Sequence, residues 1–236
     1  RDRGDGMLAF RQLYLRKVMG DVTAEAGAMS PEATIGSAGL APSGWMDGIR
    51  IKAISKLGDI KVVAGSLGDF KQPNAFKRDF KGNFIEVEVG YKLFENLVGH
   101  TAYEHYNSEG YLKQKLQMEL KIIGDRVFKL FADALYDTER QAFSYELGTE
   151  FDLLKDLVHK YEHRLDLKLY FSNINPNTPM RSDTVSAFYA YGPRYTVQIG
   201  GKIDHAGVAS WFARASNGNE DRYDTGLSFS LPLKKK

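Results

Sequence analysis

The stretch "YLKQKLQMELKIIG", residues 111–124, sets charged and apolar side chains in alternation for most of its length. On a helical wheel at about 100° per residue, Leu112, Leu116, Met118, Leu120 and Ile122 spread over roughly half the circumference, with Lys115 and Glu119 inside their arc. A helix would bury both charges. In a strand, successive side chains point to opposite faces. One face then holds Leu112, Gln114, Leu116, Met118, Leu120 and Ile122, and the other Tyr111, Lys113, Lys115, Gln117, Glu119 and Lys121. The pattern predicts a strand, and a long one, because strands in globular proteins typically run ~5–6 residues.

The same alternation recurs along the chain. "FIEVEVGYKL" sets Ile85, Val87, Val89, Tyr91 and Leu93 against Glu86, Glu88 and Lys92. "AFSYELGTEFDL" sets Phe143, Tyr145, Leu147, Phe151 and Leu153 against Ser144, Glu146, Glu150 and Asp152. "HRLDLKLYF" opposes Leu165, Leu167, Leu169 and Phe171 to Arg164, Asp166, Lys168 and Tyr170. "YTVQIGGKID", "DGIRIKAIS" and the closing "YDTGLSFSLPL" repeat the arrangement, with Ile49 and Ile51 opposite Arg50 and Lys52 in the second of these. Two segments, "DRVFKLFADALYD" and "FDLLKDLVHKYE", also fit helical spacing; strands are preferred for both because their neighbours are clear strands, with a short helical connection near residues 154–162 left open. The first run, "MLAFRQLYLRKV", alternates poorly and its facing stays unresolved.

Tight turn signals at Met19, Leu57, Phe94 and Gly124 separate some runs, and longer polar connections over residues 30–46, 70–83, 172–183 and 215–224 separate others. The reading is all-β, with about 14 strands and a range of 12–16. No linker or shift in composition divides the chain, so residues 1–236 are expected to form a single domain.

Composition narrows the class. A net charge of +2 gives no bulk electrostatic case for nucleic acid. The absence of cysteine excludes disulfides, thiolate metal sites and cysteine nucleophiles. No stretch approaches the ~20 apolar residues of a membrane helix. The opening "RDRGDGM" is not a signal peptide and reads as a mature or trimmed form. A mean hydropathy of −0.38 is compatible with a transmembrane barrel, because only every second strand residue meets lipid.

A soluble sandwich also alternates, but many runs here match the ~9–11 residues of a tilted membrane strand. Tyr91, Tyr145, Phe171 and Tyr195 sit near the ends of apolar faces, where interfacial girdles place aromatics. Long amphipathic strands, tight turns alternating with long loops, and a final aromatic-apolar strand together resemble a bacterial outer-membrane β-barrel of the porin type. "FRQLYLRKVMGDVTAEAGAMSP" with "GWMDGIRIKA" is similar to the early hairpins of alginate-export-like porins. The resemblance implies a transmembrane antiparallel up-and-down barrel in a bacterial outer membrane, closed by pairing residues 223–233 with the first strand. The chain departs from the type in ending "LPLKKK" rather than on an aromatic residue. Its first turns are short and the loops between them long, which would start the first strand on the outside.

In such a barrel the charged face lines the lumen. Arg50, Lys52, Lys113, Lys115, Lys121, Arg164, Lys168 and Lys202 supply positive charge there, and Glu86, Glu88, Glu119, Glu146, Glu150 and Asp166 negative charge. Lys129, Arg214, Asp133 and Asp152 extend the two sets. A barrel of about 14 strands is wider than the eight-stranded size that side chains fill, so water can enter. The expected function is passive passage of small polar or ionic solutes through a charged lumen, without a cofactor. Expected partners are outer-membrane lipid and lipopolysaccharide, the solute itself, and proteins reached through the long loops. "SPEATIGSAGLAPSGWM" and "DFKQPNAFKRDFKGN" are candidates for constriction or partner contact. A non-conducting structural barrel in a larger outer-membrane assembly is the alternative.

A lipid hydrolase is the remaining alternative, and the residues argue against it. "YEHYNSEG" slightly resembles the His-x-Ser-Asn-Gly stretch of outer-membrane phospholipase A, but Asn107 and Ser108 stand in reversed order, moving the serine to the opposite strand face. "ASNGN" keeps Ser216, Asn217 and Gly218, but Arg214 stands where that family has histidine. No catalytic residue is assigned. His159 and His163, four apart, lack the His-Glu-x-x-His arrangement, and in a strand they would lie about 13 Å apart. No metal site is expected.

Overall fold

A computed structural model describes residues 13–29, 34–38, 46–56, 58–67, 81–121, 127–152, 165–178, 180, 191–203, 209–218 and 221–229. These form strands β1 (Leu13–Met19), β2 (Val22–Met29), β3 (Met46–Ile54), β4 (Gly58–Leu67), β5 (Phe84–Phe94), β6 (Leu97–Tyr106) and β7 (Glu109–Lys121). They continue with β8 (Val127–Asp137), β9 (Ala142–Asp152), β10 (Asp166–Ile174), β11 (Gly192–Lys202), β12 (Ala209–Asn217) and β13 (Arg222–Phe229). All thirteen lie in one sheet in chain order, and each pairs antiparallel with the next. The count falls inside the expected range, and "DRVFKLFADALYD" is the strand β8. The segment with an open helical alternative, residues 153–164, lies outside the described residues.

The alternation decides which face is which. On β7, Leu112 and Leu116 are exposed while Lys113 is 2% exposed. On β5, Ile85, Val87 and Val89 are exposed, whereas Glu86 and Glu88 are fully buried. Ile49 and Ile51 on β3 likewise face out, and Arg50 faces in. A soluble protein would reverse this arrangement, since burying charge and exposing aliphatic surface both cost free energy in water. With hydrocarbon outside, apolar-out and polar-in is the stable order. Among the described residues, no helix is long and apolar enough to cross a membrane.

The outer face carries two further features of a lipid-facing surface. Phe143, Tyr145, Phe171 and Tyr195 form a run of ring contacts across β9–β11, with centroids 5.6, 6.0 and 4.9 Å apart. Gln114, a polar residue on the apolar face of β7, is satisfied locally. Its amide donates to the Tyr91 hydroxyl at 2.8 Å, and its carbonyl accepts from the Thr101 hydroxyl at 2.6 Å.

Close strand approach has its own sequence signal. Gly27, Gly48 and Gly65 are cross-strand neighbours on β2, β3 and β4. A methyl group on Gly48 would fall inside contact of the Ala64 carbonyl, and one on Gly65 inside contact of the Asp47 carbonyl. Glycine here leaves room for the close approach of the neighbouring backbones.

The two ends of the sheet differ. Connections at the end holding the β1–β2 turn are mostly short, and the β2–β3, β4–β5 and β10–β11 connections at the opposite end are long. That opposite end also has tight hairpins, at residues 107–108, where Asn107 and Ser108 both take positive φ, and at residues 138–141. We call these the turn end and the loop end. The expected closure is not formed among the described residues: β13 pairs with β12, β1 pairs with β2, and neither pairs with the other. With thirteen antiparallel strands among the described residues, β1 and β13 both run from loop end to turn end.

Two outcomes follow from this architecture. Leu116→Arg places a charge on the lipid face and should destabilise the folded protein by about 2–4 kcal/mol if the site lies near midplane, measured by urea unfolding in lipid vesicles. Gly48→Ala should destabilise by about 1–3 kcal/mol in the same assay through overpacking against β4. The same change at Gly20, a turn position with open space around it, should cost only its φ strain.

Candidate functional site

Charged side chains of the inner face fall into two regions. The first is a largely buried network across β2–β8, with Lys115 at its accessible edge. Glu25 on β2 faces Arg50 on β3, whose guanidinium donates to it at 2.5 and 2.6 Å. The Lys61 ammonium on β4 lies 3.2 Å from Glu86 and 2.5 Å from Glu88. The Lys113 ammonium on β7 pairs with Glu86 and, at 2.9 Å, with Glu104 on β6. His100 places Nδ1 3.0 Å from Glu88, and Lys115 lies 3.5 Å from Asp133 on β8. The Lys113, Glu86 and Glu104 side chains have no solvent exposure. Register brings them together: Glu86 stands opposite Val63 and Glu104, so Lys61 lies on its diagonal from β4, while Lys113 lies on the diagonal of Glu104 from β7.

A segment of the β2–β3 connection covers this network. Lys61 donates to the Thr34 hydroxyl at 3.3 Å, Lys115 donates to the Thr34 carbonyl at 3.0 Å, and the Ser37 hydroxyl donates to Glu104. Ala38 then packs with Tyr111, Leu135 and Ile174 of the inner wall and with Met180 of the β10–β11 connection. The Ser144 hydroxyl donates to the Thr178 carbonyl at 2.6 Å and accepts from the Asn175 amide at 2.8 Å. The described parts of two long loop-end connections, residues 34–38 and 175–180 without 179, therefore lie inward and meet on the wall of β7, β8 and β10. Arg140, in the tight β8–β9 turn beside them, ties the rim to Glu109, to Asp137 and to the Asn177 carbonyl. Its hydrogen bond with Glu109 raises the guanidinium pKa above the ordinary arginine value.

The second region is a water-accessible wall over β7–β13. Lys129 pairs with Glu119 at 3.4 Å and Lys168 with Glu150 at 3.0 Å, each side chain about a third to a half exposed. The Tyr170 hydroxyl also donates to Glu150, at 3.2 Å. Arg214 and Arg222 share Asp224 at 2.9 and 3.0 Å. Gly148 separates the rings of Phe131 and Tyr170, whose centroids are 5.4 Å apart, and the Lys115 ammonium lies 5.8 Å from the Phe131 centroid. A side chain at Gly148 would strike both rings.

The residues picked from sequence divide accordingly. Arg50, Glu86, Glu88, Lys113 and Glu146 are on the inner face and buried. Lys52, Lys115, Glu119, Glu150, Asp166 and Lys168 are on the same face with partial or full access, and Lys202 is exposed at the turn end of β11. Lys121 ends β7, with its side chain outside the described residues, as is the whole of Arg164. Sequence reading passed over Glu25, Lys61 and Glu104. Each was legible, as the inward residue in "TAEAG", "DIKVV" and "AYEHY". The docking role of Thr34 and Ser37 had no comparable signal.

The two hydrolase-like stretches lie at a hairpin turn and at the end of β12. Ser108 is a residue of the β6–β7 turn. Ser216 accepts a hydrogen bond from Thr196 at 3.0 Å, and Asn217 donates to Asp221 at 2.7 Å. His159 and His163 lie outside the described residues. Among the described residues, no group of histidine, cysteine or carboxylate side chains is placed to hold a metal.

No protein-family model matches this sequence. No curated protein matches it either. Solved structures do. OccK7 (OpdD) of Pseudomonas aeruginosa superposes with a TM-score of 0.60 at 13% identity, over 94% of this chain and 69% of that one. OccK11 (OpdR) of the same organism gives 0.60 at 11% identity, over 92% and 69%. OccD1 (OprD) gives 0.58 at 11% identity, over 86% and 56%. The fold is that of a porin-type outer-membrane β-barrel. The chain spans 56–71% of the length of the structures it resembles.

The dry network makes a sharp prediction. Removing the Lys113 ammonium with Lys113→Met leaves Glu86 and Glu104 short of a partner and should cost about 3–5 kcal/mol. Lys168→Met, at a half-open pair, should cost about 0–1 kcal/mol. Parallel urea titrations of the two variants in vesicles check the contrast.

Proposed function

We propose that this protein is a bacterial outer-membrane channel for passive passage of small polar or ionic solutes. The observation that carries the reading is the inverted order of the sheet: aliphatic side chains point outward and charged ones inward, on a fold shared with outer-membrane barrels. A wide barrel with a charged, partly wet inner wall provides a path for solutes that hydrocarbon excludes. A structural neighbour, OpdK, was crystallised with vanillate, a small polar organic molecule.

Within that reading, the buried network positions the inward segment and the accessible wall selects the solute. Lys113, Glu86, Glu88 and Arg50 are neutralised in dry contacts and offer nothing to a passing ion, and Glu146 is buried beside them. Lys115, Lys168, Glu150, Glu119, Lys52, Asp166 and Lys202 face the water path. Lipopolysaccharide contact and protein partners are assigned to the loop-end connections. The inward fold of residues 34–38 also favours a second reading, a non-conducting barrel that serves a larger assembly.

Planar-bilayer recording of the purified protein separates the two. Ohmic steps are expected from a channel, and in a salt gradient Lys168→Glu should shift the reversal potential toward cation selectivity without loss of the fold. Folded, inserted protein that never conducts would reject the channel and leave the scaffolding barrel.

A further inference from the structure

The outward face of the sheet is almost free of charge, and its one exposed cation has no partner. Strand pairing sets Lys17 of β1 beside Ala24 of β2, and Ala24 beside Ile51 of β3, so Lys17 shares the outward face with the exposed Ile51. Among the described strand residues it is the one lysine or arginine on that face. It is exposed and makes no hydrogen bond or ion pair with any described residue. Gln114, polar on the same face of β7, is by contrast held by Tyr91 and Thr101. A cation against hydrocarbon is costly, and least so near the interface. Lys17 stands two residues before the end of β1, at the turn end. From there its apolar stem can carry the ammonium to the level of the lipid headgroups.

Beside Lys17 the outward face is hollow. Leu15 and Lys17 on β1 form one bank, Ile49 and Ile51 on β3 the other, and Ala24 and Ala26 of β2 lie between them. These residues line a groove of about 310 Å³. Small side chains between two rows of large ones leave a channel along β2, a shape that suits a linear hydrocarbon chain. Lys17 is at the end of this channel nearest the β1–β2 turn, and Ala26 lies deeper.

We infer that Lys17 and this groove bind one anionic phospholipid of the leaflet at the turn end, its phosphate against the Lys17 ammonium and one acyl chain along Ala24 and Ala26. The inference rests on the membrane reading above. Charge and order choose the occupant. An ammonium is a point-charge partner for phosphate, and headgroup and chain of a lipid fall in the same sequence as Lys17 and the alanines. A partner protein or a second copy would have to bring a carboxylate to the edge of the hydrocarbon, itself a costly placement. A phospholipid already holds its phosphate there.

Native mass spectrometry tests the site. The 236-residue chain is folded in vesicles holding equal amounts of phosphatidylglycerol and phosphatidylcholine with identical acyl chains, then extracted in mild detergent. One phosphatidylglycerol should stay bound, favoured about fivefold over phosphatidylcholine, the effect of one lysine at an anionic surface. Lys17→Gln should erase that preference and Lys17→Arg should keep it. Ala26→Phe fills the groove and should abolish retention of either lipid, while Ala213→Phe, at an outward alanine of β12, should leave retention unchanged. Heat-modifiable migration reports that each variant is folded, and the two Lys17 variants decide alone should Ala26→Phe fail to fold. Equal retention of both lipids by the unsubstituted chain, or an unchanged preference in Lys17→Gln, overturns the inference. A second copy seated in place of lipid, seen as a dimer that Ala26→Phe dissociates, overturns it as well. A chain that stays in water without detergent rejects the membrane reading itself, and the lipid site falls with it.

Discussion

A strand that enters hydrocarbon must pair its backbone polar groups on both sides, because no water is available to do so. The fold of this protein obeys that constraint across twelve consecutive antiparallel ladders. Pairing then fixes register, and register fixes faces: a one-residue slip would turn the Ile85, Val87 and Val89 face inward and send Glu86 and Glu88 into lipid. The alternation of sequence is thus the means by which each ladder is held in one alignment.

Once charges are turned inward they face a second constraint. A carboxylate removed from water is costly unless paired. Glu86, Glu88 and Glu104 meet this by sharing Lys61 and Lys113 across four strands. No single hairpin could supply such a network, since each cation bridges carboxylates of other strands. The residues at 34–38 complete it with two hydroxyls and a carbonyl, so the inward segment is held by the charges it covers. Stability and the shape of the lumen are coupled at this point.

Much of this was legible beforehand. Period-two patterning located β5, β7, β9, β10 and β11 and assigned their faces, because burial on one side only leaves a strong imprint on sequence. The strand β8 was legible from its neighbours even though its own pattern admitted a helix. That β1 and β13 do not pair among the described residues was less legible: terminal strands alternate like any others, and their direction emerges only when the turns are counted. The early short turns already hinted at it, since they put the start of β1 at the loop end. Dry and wet inner-face charges were not separable from sequence. Lys113 and Lys115 are identical in pattern, yet one has no exposure and the other is about one-fifth exposed.

That difference is set by the connections. The strands supply one continuous charged wall, and residues 34–38, 178 and 180 decide which part of it stays wet. A substitution on the strand face therefore acts according to what lies above it: under the inward segment it removes a structural partner, and along β10–β13 it changes a group in contact with water. Two barrels with the same strand pattern and different inward segments would expose different charges to the same path. In this architecture the ladders carry stability, and on the channel reading proposed above selectivity belongs jointly to the wall and to the loops that leave parts of it uncovered.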